Sequence, residues 1–305
     1  MNTSFFLPIS LAAAFLPSLF SQSDAGIVGA GYGSPAVPAV APGQVITLFV
    51  GGGVSSGGDV AVSLRQSSEP GTVAVPVMAV KAIPTCPPGV ALECKSGSTI
   101  TAVTVQLPFE MTPPAANGTL FGTSEATLSV TSGGRSTAEF RVTPVTDAIH
   151  ILNSCTDSAI PFYGASQGLC GALVTHSDGT LVTAASPALP PEAVTVYAYG
   201  FGATLPAVAT GQPSPLPAAS VAPPVQVQFE AAPNAGSSWR DDMTPVAPLF
   251  AGLTPGCAGL YQINVVVPQL PAGAAACGGA VESNLTIRIR GQRSHDAAGI
   301  CVRVR

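Results

Sequence analysis

The chain has 305 residues and a net charge of −5; 47% of its residues are hydrophobic and only 9% are charged. That length allows two domains or one large β domain with a sizeable core. The negative net charge gives no indication of nucleic-acid binding. With 33 glycines and 30 prolines, turn signals recur every few residues, which disfavours long helices and predicts many short strands.

Residues 1–25 have the anatomy of a secretory signal peptide. Residues 5–20 are mostly apolar, and the small pairs Ser21/Ser23 and Ser23/Ala25 offer cleavage sites. The segment lacks Lys and Arg before its apolar run, so an ordered apolar segment that stays attached is the alternative. No later stretch approaches 18 uninterrupted apolar residues, so we expect a secreted or cell-surface protein whose mature chain has no transmembrane span.

The first clear strand covers residues 45–50, where Ile46, Leu48 and Val50 alternate with the residues between them. Such β-branched and aromatic runs suit a pleated, half-buried surface. A strand at 101–107 ends at Pro108, because proline cannot donate to a ladder. Residues 147–155 are then predicted to form an extended link between two domains.

Seven cysteines in an exported chain indicate disulfides with one thiol left over. Cys86 and Cys94 bracket a short loop, and Cys155 and Cys170 bracket a glycine-rich one, so we predict that each pair is bonded. No CxxC pair is present, which argues against zinc, and no cofactor or metal site is predicted.

The remaining cysteines are Cys257, Cys277 and Cys301. A tight turn at residues 291–292 would bring Cys301 near Cys277, and a wider loop over 291–298 would bring it nearer Cys257. The sequence favours the first arrangement and leaves the second open.

The segment HSDGT (176–180) places His176 two residues before Asp178. Asp-Gly between apolar runs is a strong hairpin signal, so a β-turn is predicted. A Ser/His/Asp hydrolase would need a nucleophile on a strained strand-to-helix elbow, and the glycine- and proline-rich sequence predicts no long helix to form one. His295 and Asp296 are predicted to lie in a solvated loop, and no catalytic residue is assigned. One geometry would overturn this prediction: His176 within hydrogen-bond reach of both a serine and a carboxylate.

Two surface features could bind a ligand. Trp239 and Arg240 lie in a loop beside a pair of aspartates, where tryptophan could stack on a sugar or fill a partner's pocket. Arg288, Arg290 and Arg303 lie on the last strands, and with Arg293 and Arg305 could form a basic cluster for an anionic polymer. A charged loop and a solvated sheet face that blunts aggregation are the structural alternatives.

Residues 257–268 read CAGLYQINVVVP, a buried strand with two amides in its middle. Alternation places Tyr261, Ile263 and Val265 on one side and Gln262 and Asn264 on the other. The two amides are therefore predicted to lie on the outer face of an ordinary strand rather than in an active site.

The chain also repeats itself, because three pairs of segments share their pattern of strand and turn residues. The pairs are 41–52 with 189–200, 101–108 with 261–268, and 128–134 with 285–291. This predicts two domains, 26–145 and 147–305. The fold class is all-β, with two tandem immunoglobulin-like β-sandwiches.

Several long phrases resemble a family of exported acidobacterial proteins whose hallmark is a C-terminal domain first catalogued in Solibacter. They cover nearly the whole mature chain, at residues 100–111, 149–155, 175–192, 197–215, 250–268 and 283–304. That family is uncharacterised, so the resemblance implies no particular activity. Residues 194–202 also resemble the opening strand of IPT/TIG modules, an immunoglobulin-like class of surface and adhesive proteins. The family phrase has an apolar residue at Cys257, which implies an unpaired Cys257 and a Cys277–Cys301 bridge.

Together these observations predict a non-catalytic structural or interaction protein that binds an extracellular protein or polysaccharide through loops. A secreted hydrolase or carbohydrate-acting enzyme with a site between the two domains is the alternative. An enzyme would show convergent ionisable groups in a deep cleft, and a binding module would show a shallow surface with scattered histidines.

Overall fold

The structure is a computed structural model. It describes residues 26–32, 39–52, 54, 59–67, 71–83, 100–113, 125–153, 171–231, 244–271, 284–291 and 295–303. These residues form twenty strands and no helix, so the predicted all-β class is confirmed. The absence of helices from them follows from glycine and proline signals that interrupt every apolar run before a helix could nucleate.

The first ten strands form two sheets. They are β1 (Gly26–Gly31), β2 (Ala39–Val40), β3 (Val45–Gly51), β4 (Val60–Gln66), β5 (Val73–Val75), β6 (Val77–Ile83), β7 (Ile100–Gln106), β8 (Ala126–Ser132), β9 (Arg135–Ser136) and β10 (Phe140–Pro144). One sheet has the order β1-β3-β7-β6, and the other has β2-β10-β8-β4-β5 with β9 beside β8. The β2–β10 pair is parallel and the others are antiparallel.

The last ten strands also form two sheets. They are β11 (His150–Ile151), β12 (Val174–Thr175), β13 (Ala193–Tyr199), β14 (Thr204–Leu205), β15 (Ser220–Val221), β16 (Val225–Phe229), β17 (Phe250–Leu253), β18 (Tyr261–Val266), β19 (Leu285–Ile289) and β20 (His295–Ala298). One sheet has the order β11-β13-β18-β17-β15-β14 with β12 beside β13, and the other has β16-β19-β20.

Each pair of sheets encloses its own core. In the first half, inward residues of β3 and β7 pack with those of β4 and β8, as Leu48 and Val105 do with Leu64 and Leu128. In the second half, β13 and β18 pack in the same way with β16 and β19. Alternate burial along each strand produces these two sandwiched cores, because successive side chains point to opposite faces.

The repeat in the sequence reappears as strand register. In the first half Ile46 lies opposite Val105 and Thr47 opposite Thr104. At the equivalent positions of the second half Val194 lies opposite Val265 and Thr195 opposite Asn264. Both halves also place a polar pair across these strands: the Thr47 and Thr104 hydroxyl oxygens are 3.1 Å apart, and the Thr195 hydroxyl donates to Asn264 Oδ1 at 3.2 Å. The two halves therefore share the pairing of their central strands.

The predicted faces of β18 are confirmed. Tyr261, Ile263 and Val265 are fully buried, whereas Gln262 and Asn264 are half-buried. On the matching strand β7, Ala102 and Gln106 of the corresponding face are buried as well. Ala102 packs in a small separate cluster with Phe49, Ile83 and Ile100, and Gln106 faces the second half of the chain.

The two halves contact each other through a hydrogen-bonded latch around Thr210. The Thr210 hydroxyl donates to the Glu110 carboxylate and accepts the Phe109 N–H at 2.7 Å. Next to it, the Gly211 N–H donates to Gln106 Oε1 at 2.9 Å. Backbone and side-chain groups of the two halves thus bond to each other across the junction.

A second contact lies where the chain passes from one half to the other. Gln44 Nε2 donates to the Tyr32 hydroxyl at 2.6 Å and to the Ala148 carbonyl at 3.4 Å. The Tyr32 ring stacks on His150 with centroids 3.8 Å apart and planes 5° apart. Gly200 completes the junction, because its φ of 82° favours glycine and a Cβ there would lie 2.0 Å from the Ala148 oxygen.

Candidate functional site

The predicted turn at His176 is present. The Gly179 N–H donates to the His176 carbonyl at 3.0 Å, and Thr175 bridges Leu181. Asp178 accepts from the N–H and the hydroxyl of Thr180, at 2.9 and 2.6 Å. The Thr180 hydroxyl bond is the largest of several interactions that hold the pKa of Asp178 below its usual range, and nearby His176 makes a smaller contribution.

His176 nevertheless contacts a serine and a carboxylate. Its Nδ1 is 3.0 Å from Glu192 Oε1, and its Nε2 is 3.3 Å from the Ser186 hydroxyl and 3.1 Å from the Ser186 carbonyl. The His176 side chain is only 13% exposed. The geometry that would overturn the non-catalytic prediction is therefore met, with Glu192 rather than Asp178 as the carboxylate.

Two short turns bring these partners to His176. In the first, Thr183 and Ser186 exchange backbone hydrogen bonds of 2.9 and 3.1 Å. In the second, the Glu192 N–H donates to the Leu189 carbonyl, and Glu192 Oε1 accepts the Leu189 N–H at 2.9 Å. Glu192 therefore closes its own turn and orients His176 with the same oxygen.

The last described residues close the other side of the site. Ala188 forms a parallel bridge with Val302, and the Arg303 N–H donates to the Ala188 carbonyl at 2.8 Å. Arg303 thereby lines an open pocket of about 360 Å³ together with His176, Asp178, Ser186 and Glu192. The pocket lining therefore combines one guanidinium with two carboxylates, one imidazole and three hydroxyls.

The partners decide which nitrogen of His176 carries hydrogen. An ionised carboxylate only accepts, so Nδ1 bears the hydrogen that faces Glu192. In a neutral ring Nε2 then has a lone pair, which can accept the Ser186 hydroxyl but cannot bond to its carbonyl. In a protonated ring Nε2–H would instead donate to the carbonyl. The neutral state is the arrangement of a base beside a hydroxyl.

The usual donors for an oxyanion are missing beside Ser186. Its N–H is already bonded to the Thr183 carbonyl and hydroxyl, both at 3.1 Å. The next residue, Pro187, has no N–H. Serine hydrolases commonly use these backbone groups to stabilise the tetrahedral intermediate. Any such stabilisation in this pocket would have to come from a side chain.

A second pair of ionisable groups lies at the junction between the halves. His150 Nδ1 is 3.7 Å from Asp296 Oδ2, which accepts the Ile151 N–H at 2.8 Å. Burial lowers the pKa of His150 to about 4 and raises the pKa of Asp296. The prediction of a solvated loop at 295–296 is wrong, because these residues form β20 and Asp296 packs against β11.

The predicted arginine cluster is divided between two places. Arg288 lies on β19, opposite Gln226 and His295, and its Nε donates to Gln226 Oε1 at 3.1 Å. Arg290 comes next at the exposed end of the same strand. Arg303 is separate because the chain leaves this sheet after Ala298 and joins Ala188 instead. Arg293 and Arg305 lie outside the described residues.

The remaining predicted site residues are the loop tryptophan, its neighbour and the cysteines. Trp239 and Arg240 lie outside the described residues, as do five of the predicted disulfide cysteines: Cys86, Cys94, Cys155, Cys170 and Cys277. Cys301 is disulfide-bonded, and its partner also lies outside them. Cys257 is a free, partly buried thiol. The three predicted pairings therefore stay predictions.

A polar pocket also lies in the first half, with a volume of about 420 Å³. It is lined by two ion pairs, Arg65 with Glu139 at 2.6 Å and Arg141 with Glu125 at 3.9 Å. All four side chains are more than half exposed, so water screens these pairs. The charges balance, and the pocket offers no preference for an anion or a cation.

Within the described ranges, no group of three or more His, Cys, Asp or Glu residues could hold a metal ion. The same ranges contain no helix of the length and apolarity needed to cross a membrane.

Sequence reasoning singled out His176 but not Ser186 or Glu192. Ser186 precedes a proline in an ordinary turn, and Glu192 comes after two prolines at the start of β13. No local motif marks either residue, because they contact His176 only where their two turns pack against the turn that contains His176. The only local signal for Glu192 is the sequence Pro-Pro-Glu before a strand, where a carboxylate can close a turn.

Comparisons with known proteins place the chain in no family. No family model and no curated protein matches it. Two solved structures show a faint likeness, each with a TM-score of 0.20. The first, a pullulanase from Anoxybacillus sp. LM18-11 complexed with maltotriose, is 10% identical over 87% of this chain and 27% of that one. The second, the Yersinia pseudotuberculosis adhesin InvE, is 13% identical over 93% and 61%. Likeness at this level carries no argument about function.

Proposed function

We propose that this chain is an exported structural and interaction protein that holds two β-sandwiches in a fixed relation and binds a partner through loops and outer faces. One observation carries the proposal: the two cores are tied together by the latch at Thr210 and by the ring stack of Tyr32 on His150. Rigid spacing is useful to a protein that presents recognition loops outside the cell.

The latch supports a fixed relation because three hydrogen bonds join the two halves at one place. Thr210 both donates and accepts across the junction, and Gln106 accepts from Gly211 in a nearly fully buried position. Separating the halves would expose these groups and break hydrogen bonds worth about 1 kcal/mol each. Gly259 adds close packing, because a Cβ there would lie 2.8 Å from the Gly43 carbonyl.

The absence of catalysis is not part of this proposal, because His176 lies within hydrogen-bond reach of Ser186 and Glu192. Nor does the alternative of an enzyme site between the domains gain support from that contact. The pocket around His176 is lined only by residues 176–192 and Arg303, all from the second half.

The proposed partner is an extracellular polysaccharide or protein. Arg288 is a half-buried residue of β19 and the exposed Arg290 directly follows that strand, where guanidinium groups could meet carboxylates or sulfates. The loop with Trp239 and Arg240 could add an aromatic platform for a sugar ring.

Export is tested by locating the chain in its native cells. Biotinylation with a membrane-impermeant reagent should label it, and N-terminal sequencing of the recovered protein should begin at about residue 24 or 26. A chain found inside the cell with residues 1–25 still attached would contradict the proposal.

Binding is tested with a glycan array and a pull-down from native envelope extracts, using the purified full chain. We expect one bound class whose signal falls in Arg288→Gln/Arg290→Gln and in Trp239→Ala. Arg141→Gln is the matched control, since this exposed arginine lies in the first half. Equal binding by all variants would refute the assignment of these residues, and no binding by the wild type would refute the interaction role.

A further inference from the structure

The strongest unassigned chemistry of the molecule is the Ser186–His176–Glu192 contact. We propose that Ser186 is a nucleophile that accepts acyl groups from activated carboxylic esters in the open pocket beside Arg303. This activity is separate from the proposed interaction role and does not depend on it.

The hydroxyl is placed to lose its proton to His176. Glu192 fixes the Nδ1–H tautomer at 3.0 Å, which leaves the lone pair of Nε2 3.3 Å from the Ser186 oxygen. This distance is longer than an ideal hydrogen bond, as is common before a substrate tightens the site. The His176 ring is held on both sides and is 13% exposed, so little reorientation is needed.

The carbonyl of Ser186 competes for the same nitrogen at 3.1 Å. A carbonyl cannot donate to the lone pair of a neutral ring, so it becomes a partner only when Nε2 is protonated. Attack by the hydroxyl on a substrate transfers a proton to this nitrogen. The carbonyl can therefore receive the new N–H and stabilise the imidazolium, in addition to the Glu192 carboxylate on the other side.

The reaction is a two-step acyl transfer. The Ser186 oxygen attacks the ester carbonyl, its proton passes to His176 Nε2, and the alcohol or phenol leaves with that proton. The acyl group is then an ester of Ser186. Water attacks this ester with His176 as base, releases the carboxylic acid and restores the hydroxyl.

The substrate class is set by the missing backbone donors. Because the Ser186 N–H is occupied and Pro187 has none, the Arg303 guanidinium is the cation lining the pocket that can stabilise the tetrahedral oxyanion. Loss of one oxyanion donor typically costs about 10²–10³ in rate. Aryl and similarly activated esters need less of this stabilisation than amides, and the pocket of about 360 Å³ suits a small acyl group.

A fluorophosphonate probe tests the nucleophile directly, since it forms a phosphonyl ester with an activated serine and releases fluoride. With the purified full chain we expect one label, mapped by peptide mass spectrometry to Ser186. Ser186→Ala should remove it, and Ser136→Ala, an exposed serine of the first half, should leave it unchanged. An unlabelled wild type, or a label that persists in Ser186→Ala, would overturn the proposal.

The roles of the neighbours need separate measurements. His176→Gln should slow labelling by about 100-fold or more, in a protein whose thermal melt shows that it is folded. Glu192→Gln should slow labelling, because the carboxylate no longer orients His176, and the conservative Glu192→Asp should recover part of the rate. A purely structural Glu192 would change the melt but not the labelling rate of the folded protein.

Arg303 is tested with p-nitrophenyl acetate, whose phenolate release reports acylation. Arg303→Gln should lower the acylation rate by about 100-fold, and Arg141→Gln should not change it. If Ser186 is labelled but both arginine variants acylate at the wild-type rate, Arg303 is not the oxyanion donor and that part of the proposal is refuted.

Discussion

Replacing His150 with phenylalanine should make the protein less sensitive to acid. His150 stacks on Tyr32 at 3.8 Å, has a side chain 23% exposed, and has a buried Nε2 without a hydrogen-bond partner among the described residues. Phenylalanine keeps the stacked ring and removes the titrating group. The variant therefore isolates the electrostatic contribution of one side chain at the junction between the halves.

The magnitude is obtained from the pKa of His150. Burial lowers it from 6.5 to about 4 in the folded chain, and each unit corresponds to about 1.4 kcal/mol. Since the folded pKa is depressed, the unfolded chain takes up a proton first as the pH falls. Stability present above pH 6.5 is therefore lost between pH 6.5 and about 4, by about 3 kcal/mol in total.

The assay is urea unfolding of wild type and His150→Phe at several pH values from about 7.5 to about 4. We expect the two free energies of unfolding to be close at the upper limit and to diverge by about 3 kcal/mol at the lower one, with the variant more stable. Asp296 has a raised pKa and titrates in both proteins, so it cancels to first order. Tyr199→Phe is the control and should run parallel to the wild type, because the phenol group of tyrosine does not ordinarily change charge in this pH range. A difference between His150→Phe and wild type that does not change with pH would refute the reasoning.

Three further predictions concern the core, the latch and the thiols. Ile263→Ala should destabilise the chain by about 3 kcal/mol in urea unfolding, whereas Gln262→Ala on the half-buried face should cost less than about 1 kcal/mol; equal costs would contradict the register of β18. Thr210→Val should lower stability by about 2 kcal/mol through its lost contacts with Glu110 and Phe109, while Thr143→Val at an exposed position should have little effect. The oxidised, denatured chain should show one free thiol with Ellman's reagent, from Cys257, and three or more would contradict the three predicted bridges.

The strands could be predicted because their signal is local. Alternation within residues 193–199 and 261–266 fixes which side chains are buried, and the Asp178–Gly179 dipeptide fixes a turn. The repeat between the halves is likewise visible in the sequence, and corresponding residues pair in both copies. None of these inferences needed knowledge of how distant segments meet.

The contacts proposed to matter for function form between segments that are distant in the sequence, and the sequence alone did not predict them. Gln106 is buried because the second half covers it, although its strand alone predicts an outer polar position. Ser186 and Glu192 reach His176 only because two turns converge on a third. Arg303 lies apart from Arg288 because the chain leaves the sheet of β19 after Ala298 and pairs with Ala188 instead. The spacing of the arginines in the sequence does not predict this new pairing.

The geometry that the sequence suggested as decisive for His176 also lacked one component that acyl transfer needs, a donor for the oxyanion. It comprised a base, its orienting carboxylate and a nucleophile, and the structure supplies all three. It included nothing to stabilise the oxyanion, and Pro187 removes the usual backbone donor. For this reason the activity is assigned to activated esters and is kept separate from the interaction role.

Residual dipolar couplings of backbone amides, measured on the full chain in a weakly aligning medium, test most directly whether the two sandwiches form one unit. If the latch and the ring stack fix the halves, couplings from residues 39–142 and from residues 149–302 should fit a single alignment tensor. Two tensors of different magnitude would mean that the halves move independently. That result would contradict the rigid pair on which the proposed function rests.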